Sequence, residues 1–429
     1  CSVQRAACSV QRAACSVQRA ACSVQLAACS LSHTLLICRY QQALVKFPMQ
    51  HPSGLLTIDL DAIQSNWLQL RGLAGGAECG AVVKADAYGL GMEPVAQALR
   101  GVGCRSFFVV TLVEGRALRR ALGPEPTIYL LQGVPEGDEA LCVEQGLTPV
   151  LITYAMCQRW LRFCEDNTLP ETKRCSAVKI NTGMNRLGLE LSELQTLLHQ
   201  EDALRRMGVQ LLMSHLACAD EIGHPLNDRQ RQEFIRALAQ VRQQRPATRA
   251  SLANTAATMQ GSSWHFDLVR PGIGLYGSNP VEGAQEQMKS VVTLELPVVQ
   301  CRRVAPDSAI GYGATYIART ERQVVALAGG YGDGLFRSLG NSGAVWRGRE
   351  LPIIGRVSMD SFVVDVTALA ETDRPQEGER LEVLGAHREV DAVAEAAGTV
   401  AYEVLTHLKG RFERCYRLNG QTLPAGQQP

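Results

Sequence analysis

From residue 53 onward the apolar residues fall into short runs separated by longer mixed stretches. Eight runs stand out, at 81–83, 107–110, 127–131, 149–152, 176–180, 209–213, 250–252 and 266–269. They are three to five residues long and mostly apolar, as expected of strands buried on both faces. Between most of them lie amphipathic stretches with helical spacing, such as 114–122, 158–165, 191–201 and 229–243. Another strand, 55–60, comes first, and Asp59 or Asp61 can cap a helix that carries Ile63, Trp67 and Leu70. This alternation predicts an α/β fold, a parallel (β/α)8 barrel over residues 50–285. A doubly wound open sheet is the alternative, but no G-x-G-x-x-G fingerprint follows the first strand.

Beyond residue 285 the period turns towards two. Strands are predicted at 291–299, 323–327, 353–356, 361–366 and 380–384, divided by Gly, Pro and charged turns. One helix is expected over 391–397 and a second after Thr399. Residues 286–429 therefore read as a smaller β-rich C-terminal domain.

The first 48 residues obey neither pattern. CSVQRAA occurs three times, at 1–7, 8–14 and 15–21, and CSVQLAA follows at 22–28. The apolar face is too thin for a coiled coil. The first methionine is Met49, so the repeat reads as translated tandem-repeat DNA or a misplaced start, disordered or marginally helical. Leu26–Cys29 resembles a lipoprotein cleavage box without the apolar stretch that should precede it.

Composition narrows the function classes. The 429 residues hold 43 basic and 42 acidic side chains with no charged block, which argues against nucleic acid or an anionic membrane as partner. No run of 18 apolar residues suggests a membrane span. The eight histidines form no H-E-x-x-H and the cysteines no paired C-x-x-C, so no metal is expected. Six of the 15 cysteines lie in the first 38 residues and the other nine are scattered singly, as in a cytoplasmic enzyme without disulfides.

In a (β/α)8 barrel, chemistry sits where strands end. The run 81–83 ends at Lys84, in AVVKADAYGLG. A lysine held in a partly dry pocket loses basicity and becomes a nucleophile for carbonyls, as a Schiff base with pyridoxal phosphate requires. A rim lysine snorkelling to water is the plainer alternative. The run 176–180 carries Lys179 and leads to Arg186, and the run 209–213 leads to His215. Asn254 and Thr255 follow 250–252, and Arg270, Gly272 and Ile273 follow 266–269. The Thr255 hydroxyl and the amides of Gly272 and Ile273 can cradle a phosphate. In the second domain, Tyr312, Tyr331 and Tyr402 stand in GYGATY, GYGDG and AYEV, and Met359 in GRVSMD.

From about Leu55 to Arg414 the chain resembles the bacterial alanine racemases. AVVKADAYGLG matches that family's cofactor-lysine signature. KINTGMNRLG, LMSHLACAD, LANTAAT, VRPGIGLYG, GYGATY, GYGDG, GRVSMDSFVVD and AYEVLTHLKGRF follow in the family's order. The resemblance implies a pyridoxal-phosphate enzyme that interconverts L- and D-alanine and supplies D-alanine for cell-wall peptidoglycan. It implies a head-to-tail homodimer with shared active sites. Lys84 is then the Schiff-base lysine and one base, and Tyr312 of the other subunit the opposite base. Tyr88, Thr255, Gly272, Ile273 and Tyr402 hold the phosphate. Arg270 faces the pyridine nitrogen, supported by His215, and Asn254 shares the pocket. Arg186 positions substrate, Lys179 is the lysine often carbamylated, and Met359 and Tyr331 form the substrate pocket and its gate. Asn181 stands where many members carry an acid, and Thr255 where many carry serine.

Inverting a stereocentre needs a proton removed on one face and delivered on the other, and two bases do this directly. Lysine and tyrosine are weak bases at their free pKa values, so the site must lower both. Serine racemisation, broad-specificity racemisation and amino-acid decarboxylation on a similar scaffold are the competing activities.

Overall fold

The computed structural model describes residues 54–281, 287–408 and 411–424. The repeat at 1–48 lies outside them. The described residues belong to one compact unit.

β1 (Gly54–Asp59) leads directly into the helix Leu60–Ala74. Asp59 caps that helix, accepting from the Ala62 N–H at 2.9 Å, and Leu60, Ile63, Trp67 and Leu70 form its buried stripe. β2 (Glu78–Cys79) and β3 (Ala81–Val82) are one barrel strand interrupted at Gly80. A Cβ at Gly80 would lie 2.9 Å from the Phe108 ring, so only glycine lets the neighbouring strand approach. Six more parallel strands follow: β4 (Ser106–Val109), β5 (Thr127–Leu130), β6 (Thr148–Leu151), β7 (Ser176–Lys179), β8 (Val209–Met213) and β9 (Arg249–Ser251). β10 (Leu268–Val269) pairs in parallel with β2 and takes two backbone bonds from its β9 side, Asp267 N–H to Ala250 at 3.0 Å and Arg270 N–H to Ala253 at 2.9 Å. The eight apolar runs are thus the eight staves of a closed barrel.

The second domain is built on β11 (Val292–Val304), followed by β12 (Ala309–Ile310), β13 (Tyr316–Ile317), β14 (Arg322–Ala328), β15 (Gly343–Trp346), β16 (Arg349–Ile354), β17 (Ser361–Asp365), β18 (Arg380–Leu384), β19 (Phe412–Leu418) and β20 (Gln421–Pro424). Antiparallel pairings run β14–β17–β16–β15–β18–β11 and return from β11 to β14, closing a six-stranded ring. β11 is long enough to serve two neighbours on one edge: β1 pairs with it over 292–295 and β14 over 298–304, across a bulge between Val298 and Gln300.

One boundary differs from the sequence reading. β1, expected within the barrel segment, pairs antiparallel with β11 and parallel with β19, so it belongs to the second domain's sheet. The reason lies in its pattern. Leu56 and Ile58 are buried while Leu55 and Thr57 are only partly so, the alternation of a strand packed on one face. β4, β6 and β7 are buried at every position. The main core runs from Leu56 through the barrel to Tyr416, so the two domains share a hydrophobic interior, and a small separate cluster of Ile310, Val324 and Ile354 lies in the second domain. Asp391 adds polar ties, accepting from Ser278 Oγ at 2.7 Å and Asn279 N–H at 2.8 Å.

Candidate active site

The strand β2/β3 ends at Val83, and Lys84–Gly89 forms a single unusual turn. Ala85, Asp86, Ala87 and Tyr88 all take left-handed backbone angles, with φ of 52°, 57°, 52° and 58°. Each such residue with a Cβ costs about 1–2 kcal/mol, so the turn persists only because its surroundings hold it. Ala87 N–H bonds Val83 at 3.0 Å, Gly91 N–H bonds Asp86 at 2.9 Å, and Met92 N–H bonds Asp86 Oδ1 at 2.8 Å. From the second domain, Tyr416 donates its hydroxyl to Leu90 O at 3.1 Å. The turn brings Lys84 and Tyr88, four residues apart, to one cavity.

That cavity, about 320 Å³, opens at the C-terminal ends of the barrel strands. Eleven of the residues named from the sequence line it. Lys179 enters from the end of β7 and Arg186 from the loop beyond; His215 follows β8, Asn254 and Thr255 follow β9, and Arg270, Gly272 and Ile273 follow β10. Tyr402 reaches in from the helix Ala401–His407, its ring centroid 5.8 Å from that of Tyr88. Asn254 also caps the helix Thr255–Met259, accepting from Ala257 N–H at 3.0 Å.

Tyr312, Tyr331 and Met359 are elsewhere. None lines the cavity, and all three are exposed, Tyr312 at 73%. They cluster on one face of the second domain. A Cβ at Gly313 would lie 3.2 Å from the Arg356 guanidinium, and Gly332 N–H bonds Met359 O at 3.0 Å. Tyr312 and the Tyr331 turn therefore flank the loop that carries Met359.

The sequence reading missed Gln132, which stands beyond β5 with Leu131, and Val110 beyond β4. Both stand at the end of an apolar run, and that position is the signal that marks them. Leu187, Met213 and Val82 complete the apolar part of the wall.

The described lining holds four cations, Lys84, Lys179, Arg186 and Arg270, and no carboxylate. Arg270 is buried among neutral acceptors: Ser251 Oγ, Ser214 O at 2.7 Å and Leu252 O at 3.5 Å. Burial brings its pKa down to about 10, which still leaves it charged near neutrality. Burial and then Arg270, Arg186 and Lys84 lower Lys179 to about 8. Burial and then Arg186 lower Lys84, opposed by Glu114. His215 is pushed well below the usual histidine range by burial and the four cations.

Thr255 Oγ1 accepts from Gly272 N–H at 2.9 Å and from Gly274 N–H at 3.3 Å. The Gly272 amide, expected to face a phosphate, is thus engaged by Thr255, which is left its own proton to donate. Asn181 accepts from Gly183 and Asn185 N–H at 3.1 and 3.0 Å and donates to Asn185 Oδ1 and Glu190 Oε1, each at 2.8 Å. Its amide shapes the loop that carries Arg186.

The chain matches two family models, "Alanine racemase, N-terminal domain" over residues 58–280 and "Alanine racemase, C-terminal domain" over 291–416. It is 44% identical over 367 residues to an alanine racemase of Rhodospirillum rubrum, covering 85% of this chain and 96% of that one. It is 42% identical to a catabolic alanine racemase of Mesorhizobium japonicum, covering 85% and 93%. Among solved structures it is similar to alanine racemase from Bartonella henselae with covalently bound pyridoxal phosphate, at TM-score 0.79 and 35% identity, covering 85% and 100%. It is also similar to the biosynthetic alanine racemase from Pseudomonas aeruginosa, at TM-score 0.77 and 33% identity, covering 86% and 100%.

Proposed function

This chain belongs to the alanine racemase family, and from that premise we propose that it interconverts L- and D-alanine with pyridoxal 5'-phosphate by a two-base mechanism in a homodimer. The observation that carries the reading is the cation-lined, carboxylate-free cavity with a partly buried lysine at a barrel strand end.

The lining fits the cofactor. Four cations suit a phosphorylated, phenolic ligand and a substrate carboxylate. A Cβ at Gly272 would overlap the Tyr88 hydroxyl, so glycine is what lets that phenol stand at the cavity wall. Tyr88, Thr255, Ile273 and Tyr402 would hold the phosphate end, with Gly272 lining it, its amide turned to Thr255, and Asn254 beside them. Arg270 would face the pyridine end, and Lys84 would hold the aldehyde carbon. When bound, the cofactor draws electrons from the substrate and acidifies its α-proton.

The chain's own groups do the rest. Lys84, its ammonium disfavoured by burial and by Arg186, supplies a neutral amine that takes a proton on one face. Tyr312 of a second copy serves the other face, a role suited to its exposure on the second domain. Arg186 makes no ion pair among the described residues and lies at the cavity mouth, where it can meet a carboxylate. Arg270 stays charged and donates hydrogen bonds without surrendering a proton, so it cannot protonate the group it faces. Lys179, crowded by three cations, would gain from carbamylation, which replaces a positive charge by a negative one. Met359 and Tyr331 would shape the substrate pocket and its gate. Among the described residues no helix is long and apolar enough to cross a membrane, and no His, Cys, Asp and Glu cluster is placed to hold a metal. A cytoplasmic supply of D-alanine for peptidoglycan is the role that fits this activity.

Incubating the purified chain with L-alanine, L-serine and L-lysine tests the reading. D-Alanine should form fastest, with no carbon dioxide. Faster serine turnover would make the chain a serine or broad-specificity racemase, and carbon dioxide without inversion would make it a decarboxylase.

A further inference from the structure

The helix Leu112–Leu122 begins with a complete cap. Glu114 N–H bonds Thr111 Oγ1 at 3.2 Å, and Thr111 N–H bonds Glu114 Oε2 at 3.0 Å. A capping box needs no more than this. Glu114 nonetheless makes three further bonds, one of them from the Thr111 hydroxyl to Oε2 at 3.3 Å. Its Oε2 also accepts from Val110 N–H at 2.8 Å. Its Oε1 crosses to another element and accepts from Ala85 N–H at 2.7 Å. Ala85 follows Lys84 and opens the left-handed turn. A charged acceptor makes that bond one of the stronger kind, at the point where the backbone is most costly to hold.

We infer that Glu114 is a positioning residue for Lys84: its carboxylate joins the end of β4 to the start of the left-handed turn and so fixes how the lysine enters the cavity. This rests on Lys84 being the cofactor-bearing base. Charge adds a second consequence. The cations facing Lys84 are Arg186 and Lys179 from the β7 side and Arg270 after β10, with His215 after β8. Asp86, on the turn itself, is exposed and receives Met92 N–H. Glu114 is the carboxylate that holds the Lys84 pKa up against burial and Arg186. Removing its charge lets that pKa fall further, so the neutral amine persists to lower pH.

The test uses cofactor-loaded Glu114→Gln and Glu114→Asp. Glutamine removes the charge and can accept on one side only. Aspartate keeps the charge but is one methylene too short to span both loops. In both variants, amide hydrogen exchange within 84–91 should rise about tenfold or more, with less than about threefold change in the rest of the barrel. The acid limb of the kcat profile, which reports the enzyme–substrate complex in which Lys84 is a free amine, should move to lower pH in Glu114→Gln and stay in place in Glu114→Asp. Unchanged exchange in 84–91, a rise shared equally by the whole barrel, or an unmoved limb in Glu114→Gln would overturn the inference. Lys84→Ala separates the two readings. If it keeps cofactor as firmly as the unaltered chain, the role of Lys84 fails; if it loses cofactor while both Glu114 variants behave as the unaltered chain, only the role of Glu114 fails.

Discussion

The guanidinium of Arg270 lies 3.4 Å from Nδ1 of His215, and neither residue has a carboxylate partner among the described residues. Arginine can only donate, so His215 accepts at Nδ1 and carries its proton on Nε2. Protonating His215 would place a second charge against Arg270, which agrees with its depressed pKa. The unfolded chain takes up this proton below about pH 6.5 and the folded chain does not. This residue's effect is therefore to reduce stability as pH falls through that value. In melting curves from pH 7.5 to 5.5, His215→Gln should show a smaller acid-side loss of Tm than the unaltered chain. Nuclear magnetic resonance should find no His215 titration between pH 5 and 8.

The site proposed to be shared between two copies makes a specific prediction for mixed subunits. Lys84→Ala should lose the covalently held cofactor, seen by intact mass. Tyr312→Phe should keep the cofactor but lose racemisation by about 100-fold or more. A heterodimer of the two variants has one doubly altered site and one intact site. Mixing the inactive proteins under exchange conditions should restore activity, measured as D-alanine formation. Failure to restore it would place both bases in one chain.

Lys179 can form a carbamate only as the neutral amine. With a pKa of about 8, roughly a tenth is neutral at pH 7. Stripping carbon dioxide from the buffer should lower the initial rate, and bicarbonate should restore it. The response should be larger at pH 8 than at pH 7, and Lys179→Ala should abolish it.

Gly272 has no room for a side chain. A Cβ there would overlap the Tyr88 hydroxyl. Gly272→Ala should weaken cofactor retention about tenfold or more, because the phenol must move from the cavity wall. Tyr88→Phe in the same chain should recover part of the loss. Equilibrium dialysis against pyridoxal phosphate measures both.

Arg411 holds the second domain's exposed face together. It pairs with the fully buried Asp333 through two bonds, 2.8 and 2.9 Å, and with Asp360 at 2.7 Å. Asp333 in turn accepts from Gly330 N–H at 3.1 Å, beside Tyr331, and Asp360 adjoins Met359. Arg411→Leu leaves a buried carboxylate without its cation and should destabilise the chain by about 1–2 kcal/mol, less than for a fully buried pair because Arg411 is half exposed. Adding Asp333→Asn should recover part of this in denaturant unfolding, because the stranded charge is removed.

Much of the site was legible because the barrel's geometry is simple. Parallel strands covered on both faces must be apolar at nearly every position, and the residue after each strand must lie at one end of the barrel. From Lys84, Lys179, His215, Asn254, Thr255, Arg270 and Gly272 in sequence, a common cavity follows. Gln132 and Val110 obeyed the same rule.

Other features had no such rule. The pattern of 55–60 predicts a strand but does not name its partners, and packing against β11 and β19 placed it in the second sheet. Nothing in the residues Lys-Ala-Asp-Ala-Tyr signals four left-handed residues, since alanine prefers the right-handed region. That conformation is held by Glu114, 29 positions from Ala85, and by Tyr416 from the far end of the chain. Sequence by itself determined the strand-end lysine, its cationic neighbours and the eight-stave barrel, because these follow from local periodicity. Only the tertiary structure decided which way the lysine's turn winds, what braces it, and that Tyr312 stands outside the cavity. Those properties depend on contacts between residues that are remote in the chain, which no local pattern encodes.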